Sequence, residues 1–228
     1  MTNTEFVEKL KDIANNYKTL YVYGCFGAPM TATNKTRYIN AQSYNAKAAR
    51  KAMINAATAD TFGFDCVGLL KSVLWGFSAD KTKNYGGAKY ASNGVPDTNA
   101  NGMIKLCKEV STDFSDLEVG EALWMSGHIG VYIGDGYAVE CTPSWKNGVQ
   151  ITPVLNMGTK NGTKGHKWTK HGKLPYIEYV VSDKAKEIAG YISELQKAGI
   201  ITEPSKWQKK AEADMDIYWL LRKTAAKF

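Results

Sequence analysis

No unbroken apolar run in the 228 residues approaches the length needed to cross a bilayer, which excludes a membrane-spanning helix. Cysteine is scarce, with four residues at 25, 66, 107 and 141, and no two stand at CxxC spacing. A disulfide scaffold and a cysteine zinc site are therefore not expected, and the cysteines read as free thiols. There is no Arg-rich run and no alternation of aromatic with basic residues, so nucleic acid is not an expected partner. Met1 to Leu10 lacks the basic region and apolar core of a secretory signal. A chain made without a signal peptide would need another route out of the cell if it acts outside one.

What is present suits a folded globular chain: 44% of residues are hydrophobic and 22% charged. The length allows one substantial core and a small appendage. A formal charge of +7 and a pI near 9.0 favour anionic partners by long-range attraction.

The most informative stretch is Phe62-Gly63-Phe64-Asp65-Cys66-Val67-Gly68-Leu69-Leu70. Beyond Cys66, the spacing of Leu69, Leu70, Val73 and Leu74 predicts the buried face of a helix. Cys66 then lies at the first turn, where unpaired N–H groups and the helix dipole favour thiolate and can receive an oxyanion. The competing reading is a small buried residue capping a core helix.

The second informative stretch runs from Gly127 to Cys141 and predicts a β-hairpin. Alternation puts His128, Gly130 and Tyr132 on one face and Ile129, Val131 and Ile133 on the core face. A two-residue loop at Asp135-Gly136 would set Val131 opposite Glu140 and turn Glu140 from the histidine. A three-residue loop, Gly134-Asp135-Gly136, sets Gly130 opposite Glu140 and makes His128 its diagonal neighbour, within reach of long side chains. The three-residue form is expected, with Glu140 orienting the imidazole and Cys141 facing away. Taken alone, His128 reads as a structural histidine and Glu140 as a solvated strand residue. Together with a helix-start cysteine they outline a Cys66 nucleophile, a His128 proton relay and a Glu140 orienting group.

Elsewhere, a helix is expected over Thr4 to Tyr17 with Thr4 as cap, and a short strand over Leu20 to Cys25 in which Tyr21 either lines a site or packs. A polar loop follows Pro29, then a helix from Tyr44 to Ala57 and a surface loop from Lys81 to Asn101. A short helix is expected from Asn101 to Val110, and Leu117 to Trp124 enters the sheet. Lys160 to Gly172 reads as a basic loop in which His166 and His171 are surface residues, with no zinc expected. Leu174 to Val181 reads as a last strand or connector. From Ser182 the stripes Ala185, Ile188, Ala189, Ile192, Leu195 and Ile217, Leu220, Leu221, Thr224 predict a helical hairpin that buries Ile200, Ile201, Trp207 and Trp219.

These motifs resemble the NlpC/P60 cysteine peptidases, papain-like enzymes that cut the peptide stems of bacterial peptidoglycan. Leu20-Tyr21-Val22-Tyr23-Gly24-Cys25 resembles the family's Tyr-x-Trp-Gly-Gly, and Phe64-Asp65-Cys66-Val67-Gly68 its Asp-Cys-Ser-Gly. Gly127 to Gly134 is similar to the histidine strand, and Glu140 stands where the third polar residue falls. Val67 for serine, Cys25 for glycine, Glu140 as third member and the segment Pro29 to Ala57 depart from that pattern.

The resemblance implies a catalytic set of Cys66, His128 and Glu140, with Tyr21, Asp65 and Gly127 as substrate-binding residues and no metal or cofactor. It implies an α+β fold with the cysteine helix packed on an antiparallel sheet, in a catalytic domain over 1–181. A small helical C-terminal module over 182–228 resembles those of phage or prophage wall-lytic enzymes. The expected activity is a stem-peptide endopeptidase acting at or near the D-glutamyl amide, at the cell wall after release. An N-acetylmuramoyl-L-alanine amidase or acyltransferase, and a catalytically silent wall-binding module, are the alternatives. Anionic wall polymers, and a second copy associating through the C-terminal module, are further expected partners.

Overall fold

The computed structural model describes residues 1–159, 163–180 and 183–228. They form two compact units, 1–178 and 179–228, so the expected boundary between residues 181 and 182 lies outside the described residues. No helix among them is long and apolar enough to cross a membrane.

The first unit is α+β. Helix α1 (Asn3–Asn16) buries Phe6, Val7, Leu10 and Ile13. Its cap is Thr2 rather than Thr4: the Thr2 hydroxyl accepts from Glu5 N–H while the Glu5 carboxylate accepts from Thr2 N–H, a capping box. Strands β1 (Thr19–Tyr21), β2 (Phe26–Pro29) and β3 (Phe62–Phe64) make a small sheet in the order β1-β3-β2. The segment between β2 and β3 carries more helix than expected. The polar run after Pro29 is α2 (Ala32–Ala41), capped by the Thr31 side chain, and the predicted Tyr44–Ala57 helix is broken into α3 (Ser43–Ala46) and α4 (Ala48–Ala56).

Helix α5 (Cys66–Leu74) is buried along its whole length, because β2 packs on one side of it and the strands of a larger sheet on the other. The loop that follows is pinned to it. Trp75 Nε1 donates to Val95 O at 2.9 Å, and Lys71 pairs with Asp97, so Ala88 and Val95 are buried in what read as a surface loop. The expected helix from Asn101 to Val110 divides into α6 (Ala100–Leu106) and strand β4 (Lys108–Ser111).

The larger sheet has the order β4-β9-β5-β6-β7-β8, every neighbouring pair antiparallel, with β5 (Ala122–Met125), β6 (His128–Gly134), β7 (Tyr137–Thr142), β8 (Gly148–Pro153) and β9 (Lys170–Lys173). Strand β9 lies in the stretch read as a basic loop, of which 160–162 are outside the described residues. Residues 174–180 form no strand. The apolar residues Phe114, Leu123, Tyr132, Ala138, Val154 and Trp168 pack together as a further core cluster of this unit.

The β6–β7 hairpin reaches the expected register by another route. Gly134 pairs with Tyr137, so the turn is the two residues Asp135 and Gly136, with φ of 54° and 77°. Positive φ at both positions is the primed hairpin turn that matches strand twist. An irregularity between Tyr132 and Gly134 takes up Ile133 as an extra residue, and this bulge, not a three-residue loop, brings Gly130 opposite Glu140.

The second unit has three helices rather than a hairpin: α7 (Asp183–Lys197), α8 (Pro204–Ala213) and α9 (Met215–Ala225). Their core holds Ile188, Ile192, Leu195, Ile201, Ala211, Tyr218, Leu221 and Ala225, with Trp207 packed against it. Ile200, Trp219 and Leu220, expected inside, are exposed.

Candidate active site

Cys66 is the first residue of α5, and Asp65 caps the helix. The Asp65 carboxylate accepts from Gly68 N–H at 2.5 Å and from Gly24 N–H at 2.7 Å, tying the turn after β1 to the helix start. Gly68 is dictated by packing: a Cβ there would lie 2.1 Å from the Cys25 carbonyl oxygen. Cys66 is 7% exposed, and its thiol donates to the Gly127 carbonyl at 3.9 Å.

Burial, and after it the charge of Asp65, pushes the Cys66 thiol up to about 12. The N–H groups of Val67, Ile129 and Cys66 itself pull the other way and lose. The resting sulfur is therefore a thiol. This reverses the depressed pKa expected of a helix-start cysteine, because desolvation at this depth exceeds the attraction of the helix mouth.

The sulfur is held by the backbone on either side of His128, at Gly127 O and Ile129 N–H. His128 opens β6, and its Nε2 lies 2.6 Å from Glu140 Oε2 on the neighbouring strand. Trp168 stacks on the imidazole, with ring centroids 5.4 Å apart and planes 12° from parallel. Gly130 makes the room: a Cβ there would come within 3.0 Å of the Trp168 ring. Among the described residues no hydrogen bond engages His128 Nδ1.

Glu140 is fully buried, with the Thr152 hydroxyl donating to Oε1. Burial acts most strongly on this carboxyl and raises its pKa, yet the imidazoles of His128 and His166 together outweigh it and bring the group down to about 2. It stays ionised at neutral pH. Cys141, next in the chain, faces the other way and donates its thiol to Phe64 O.

Tyr21 is buried; burial first, then the negative charge that Cys66 and Asp65 would carry, raises its phenol. Asp65 acts as a cap, with both oxygens taken by N–H groups. Gly127, at φ 76°, receives the thiol on its carbonyl and donates its N–H to Asn101 Oδ1 at 2.9 Å. Asn101 also accepts from Trp124 Nε1 at 3.0 Å, and both line a groove of about 470 Å³ with Lys105 and Lys170 on its walls.

Four residues escaped the sequence reading. His166 is half-buried and turned inward: its Nε2 lies 3.2 Å from Glu140 Oε2, and its ring packs edge-on against His128 and beside Trp145. Trp168 follows two positions later on the same clipped segment, held by the Val154–His166 bridge and by Asn156, which accepts from Trp168 N–H and donates to its carbonyl. Thr152 was within reach of the pattern, since continuing the register one strand further puts Gln150 opposite Glu140 and Thr152 on its diagonal. Arg50, from α4, donates to the Tyr21 carbonyl and covers the rings of Tyr21 and Tyr44. His171, read as a surface residue, is buried, with Nδ1 2.6 Å from Glu121 Oε2 and Nε2 2.8 Å from Asp113 O, as part of the frame.

No protein-family description matches the chain. No curated protein matches it either. Among solved structures, the P60 domain of antigen MAP1204 from M. avium subspecies paratuberculosis is similar at 18% identity, covering 78% of this chain and 96% of that one, with a TM-score of 0.40. NlpC2 from Trichomonas vaginalis is similar at 12% identity over 75% of this chain and 46% of that one, TM-score 0.39. The peptidoglycan hydrolase RipB from Mycobacterium tuberculosis is similar at 16% identity over 78% and 66%, TM-score 0.39.

Proposed function

We propose that this chain is a thiol hydrolase of the NlpC/P60 type that cleaves an amide of the peptidoglycan stem, at or near the D-glutamyl residue. The observation that carries the reading is the buried His128–Glu140 pair at the head of the strand whose backbone holds the Cys66 sulfur. Glu140 fixes Nε2 and leaves Nδ1 as the nitrogen available to the thiol.

In the reaction His128 takes the Cys66 proton as the sulfur attacks the carbonyl carbon, and Glu140 balances the imidazolium. The carbonyl electrons move to oxygen, where N–H groups at the start of α5 can receive them. Collapse breaks the C–N bond, His128 hands its proton to the leaving amine, and a thioester remains. Water, deprotonated by His128, then releases the acid and restores the thiol. The groove beside Gly127 offers the stem a path, and its two lysines suit a substrate rich in carboxylates.

Purified sacculi digested by wild type and by Cys66→Ala test the reading by mass spectrometry of the released ends. New peptide amines from wild type alone are expected. Free lactyl ends would instead mark an amidase, and equal release by both proteins would remove the proposal. The raised thiol favours one rival, a silent wall-binding module, which predicts sacculus binding with no Cys66-dependent release at all. In the hydrolase reading the chain acts at the wall after release from a producing cell of phage or prophage type, and the second unit assists wall attachment or self-association.

A further inference from the structure

Two imidazoles and a carboxylate converge at one point, and a peptidase mechanism uses only two of the three. His128 Nε2 and His166 Nε2 lie 2.6 and 3.2 Å from Glu140 Oε2, and each of the three residues brings one ligating atom within 4.8 Å of the others. His166 Nε2 is shut off from solvent, and its approach is to Glu140 Oε2 at 3.2 Å, the same oxygen that lies 2.6 Å from His128 Nε2. Two ring nitrogens thus crowd one buried carboxylate oxygen, an arrangement that a shared cation satisfies better than a single proton does. We infer that His128, Glu140 and His166 form a binding site for one divalent transition-metal ion of the zinc class.

The chemistry of the three donors suits such an ion. Two neutral imidazoles with one carboxylate make a three-ligand zinc set with a fourth position open to water. Donor atoms around a tetrahedral zinc stand roughly 3.3 Å apart, given bonds of about 2.0 Å. The present separations are 2.6 Å between His128 and Glu140, 3.2 Å between Glu140 and His166, and no more than 4.8 Å across the set.

The surroundings are those of a metal site. The Thr152 hydroxyl holds the far oxygen of Glu140, as outer partners hold ligating carboxylates. Trp168 and Trp145 flank the imidazoles and limit water. His166 is set in place by the Val154 bridge and by hydrogen bonding of its carbonyl to Leu155 N–H, so its backbone is fixed before any ion arrives.

Binding replaces the hydrogen bond between His128 Nε2 and Glu140 Oε2. An ion on His128 Nε2 also draws away the carboxylate that would support an imidazolium. The metal therefore acts against thiol chemistry at Cys66, as an inhibitor that His166 makes possible. The site itself does not depend on the hydrolase reading.

Calorimetric titration of the tag-free full-length chain with zinc chloride tests it, on wild type, Cys66→Ala, His166→Ala and His166→Gln. One equivalent bound by wild type and equally by Cys66→Ala is expected, with affinity lower by at least about 10-fold in both His166 variants. Cobalt(II) in place of zinc should give visible ligand-field bands without a near-ultraviolet thiolate band. His166 keeps a fifth of its side chain exposed, so both variants should fold, and circular dichroism verifies this. No saturable binding by wild type, unchanged affinity in folded His166 variants, or loss of binding in Cys66→Ala would each overturn the site. Because Cys66→Ala must bind metal while lacking the nucleophile, failure of the metal site and failure of the hydrolase reading are told apart.

Discussion

Cys66 is the residue on which two opposing effects meet, and depth decides between them. With the thiol raised to about 12 by burial and by Asp65, the thiolate fraction of the free protein grows with pH across the whole neutral range and beyond. Iodoacetamide should therefore alkylate Cys66 slowly at pH 7 and faster at each higher pH, with no plateau below pH 9; the rate profile, followed by intact-mass spectrometry, checks it. Early saturation near pH 6 would show an ion pair already formed at rest. Glu140→Gln should keep the shape of the pair but lose the charge, lowering kcat by at least about 100-fold with a smaller change in KM. The sequence made Cys66, His128 and Glu140 legible because each sits in a strand or helix with its own period. It hid His166 and Trp168, since a clipped segment without regular structure has no period to read, and their partners are set by Asn156 and Val154 rather than by neighbours in the chain.

Among the elements, the start of α5 has the least freedom. A Cβ at Gly68 would enter the space of the Cys25 carbonyl, which itself accepts from Asp65 N–H at 2.8 Å. Gly68→Ala must move the helix away from β2 or break that hydrogen bond, and a loss of at least about 2 kcal/mol in chemical denaturation is expected. Asp65→Ala, which frees two N–H groups, should cost about 1–2 kcal/mol. Both changes should also displace Cys66, so sacculus digestion should fall further than the folded fraction does. The hairpin shows how local rules and register come apart. The sequence pointed to Gly130 opposite Glu140 through a three-residue loop at Gly134-Asp135-Gly136, whereas the chain closes through the two-residue turn Asp135-Gly136. The register is reached although the loop differs, because Ile133 bulges out of the ladder, an adjustment to which no residue type commits the chain. The extra helix α2 was hidden for another reason. Its mean composition is polar, and only Asn34, Tyr38 and Ile39 face inward.

At the scale of the whole molecule the remaining question is what the charge does. Residues 1–178 hold 20 cationic and 15 anionic side chains, and residues 179–228 hold 9 and 7, so most of the +7 excess belongs to the unit with the candidate site. A positive field of this kind raises the local concentration of polyanions and is screened over about 8 Å at physiological ionic strength. If anionic wall polymers are what it draws in, binding of the full-length Cys66→Ala chain to whole walls should weaken steadily as sodium chloride is raised. Walls stripped of their phosphate-bearing polymers should bind it more weakly at low salt and with little salt dependence. Cosedimentation across a salt series on both wall preparations measures this directly. Equal slopes on the two would mean that the charge is not used for wall polymers, and that recognition rests instead on uncharged contacts such as the groove beside Gly127 or the exposed Trp219 and Leu220 of the second unit.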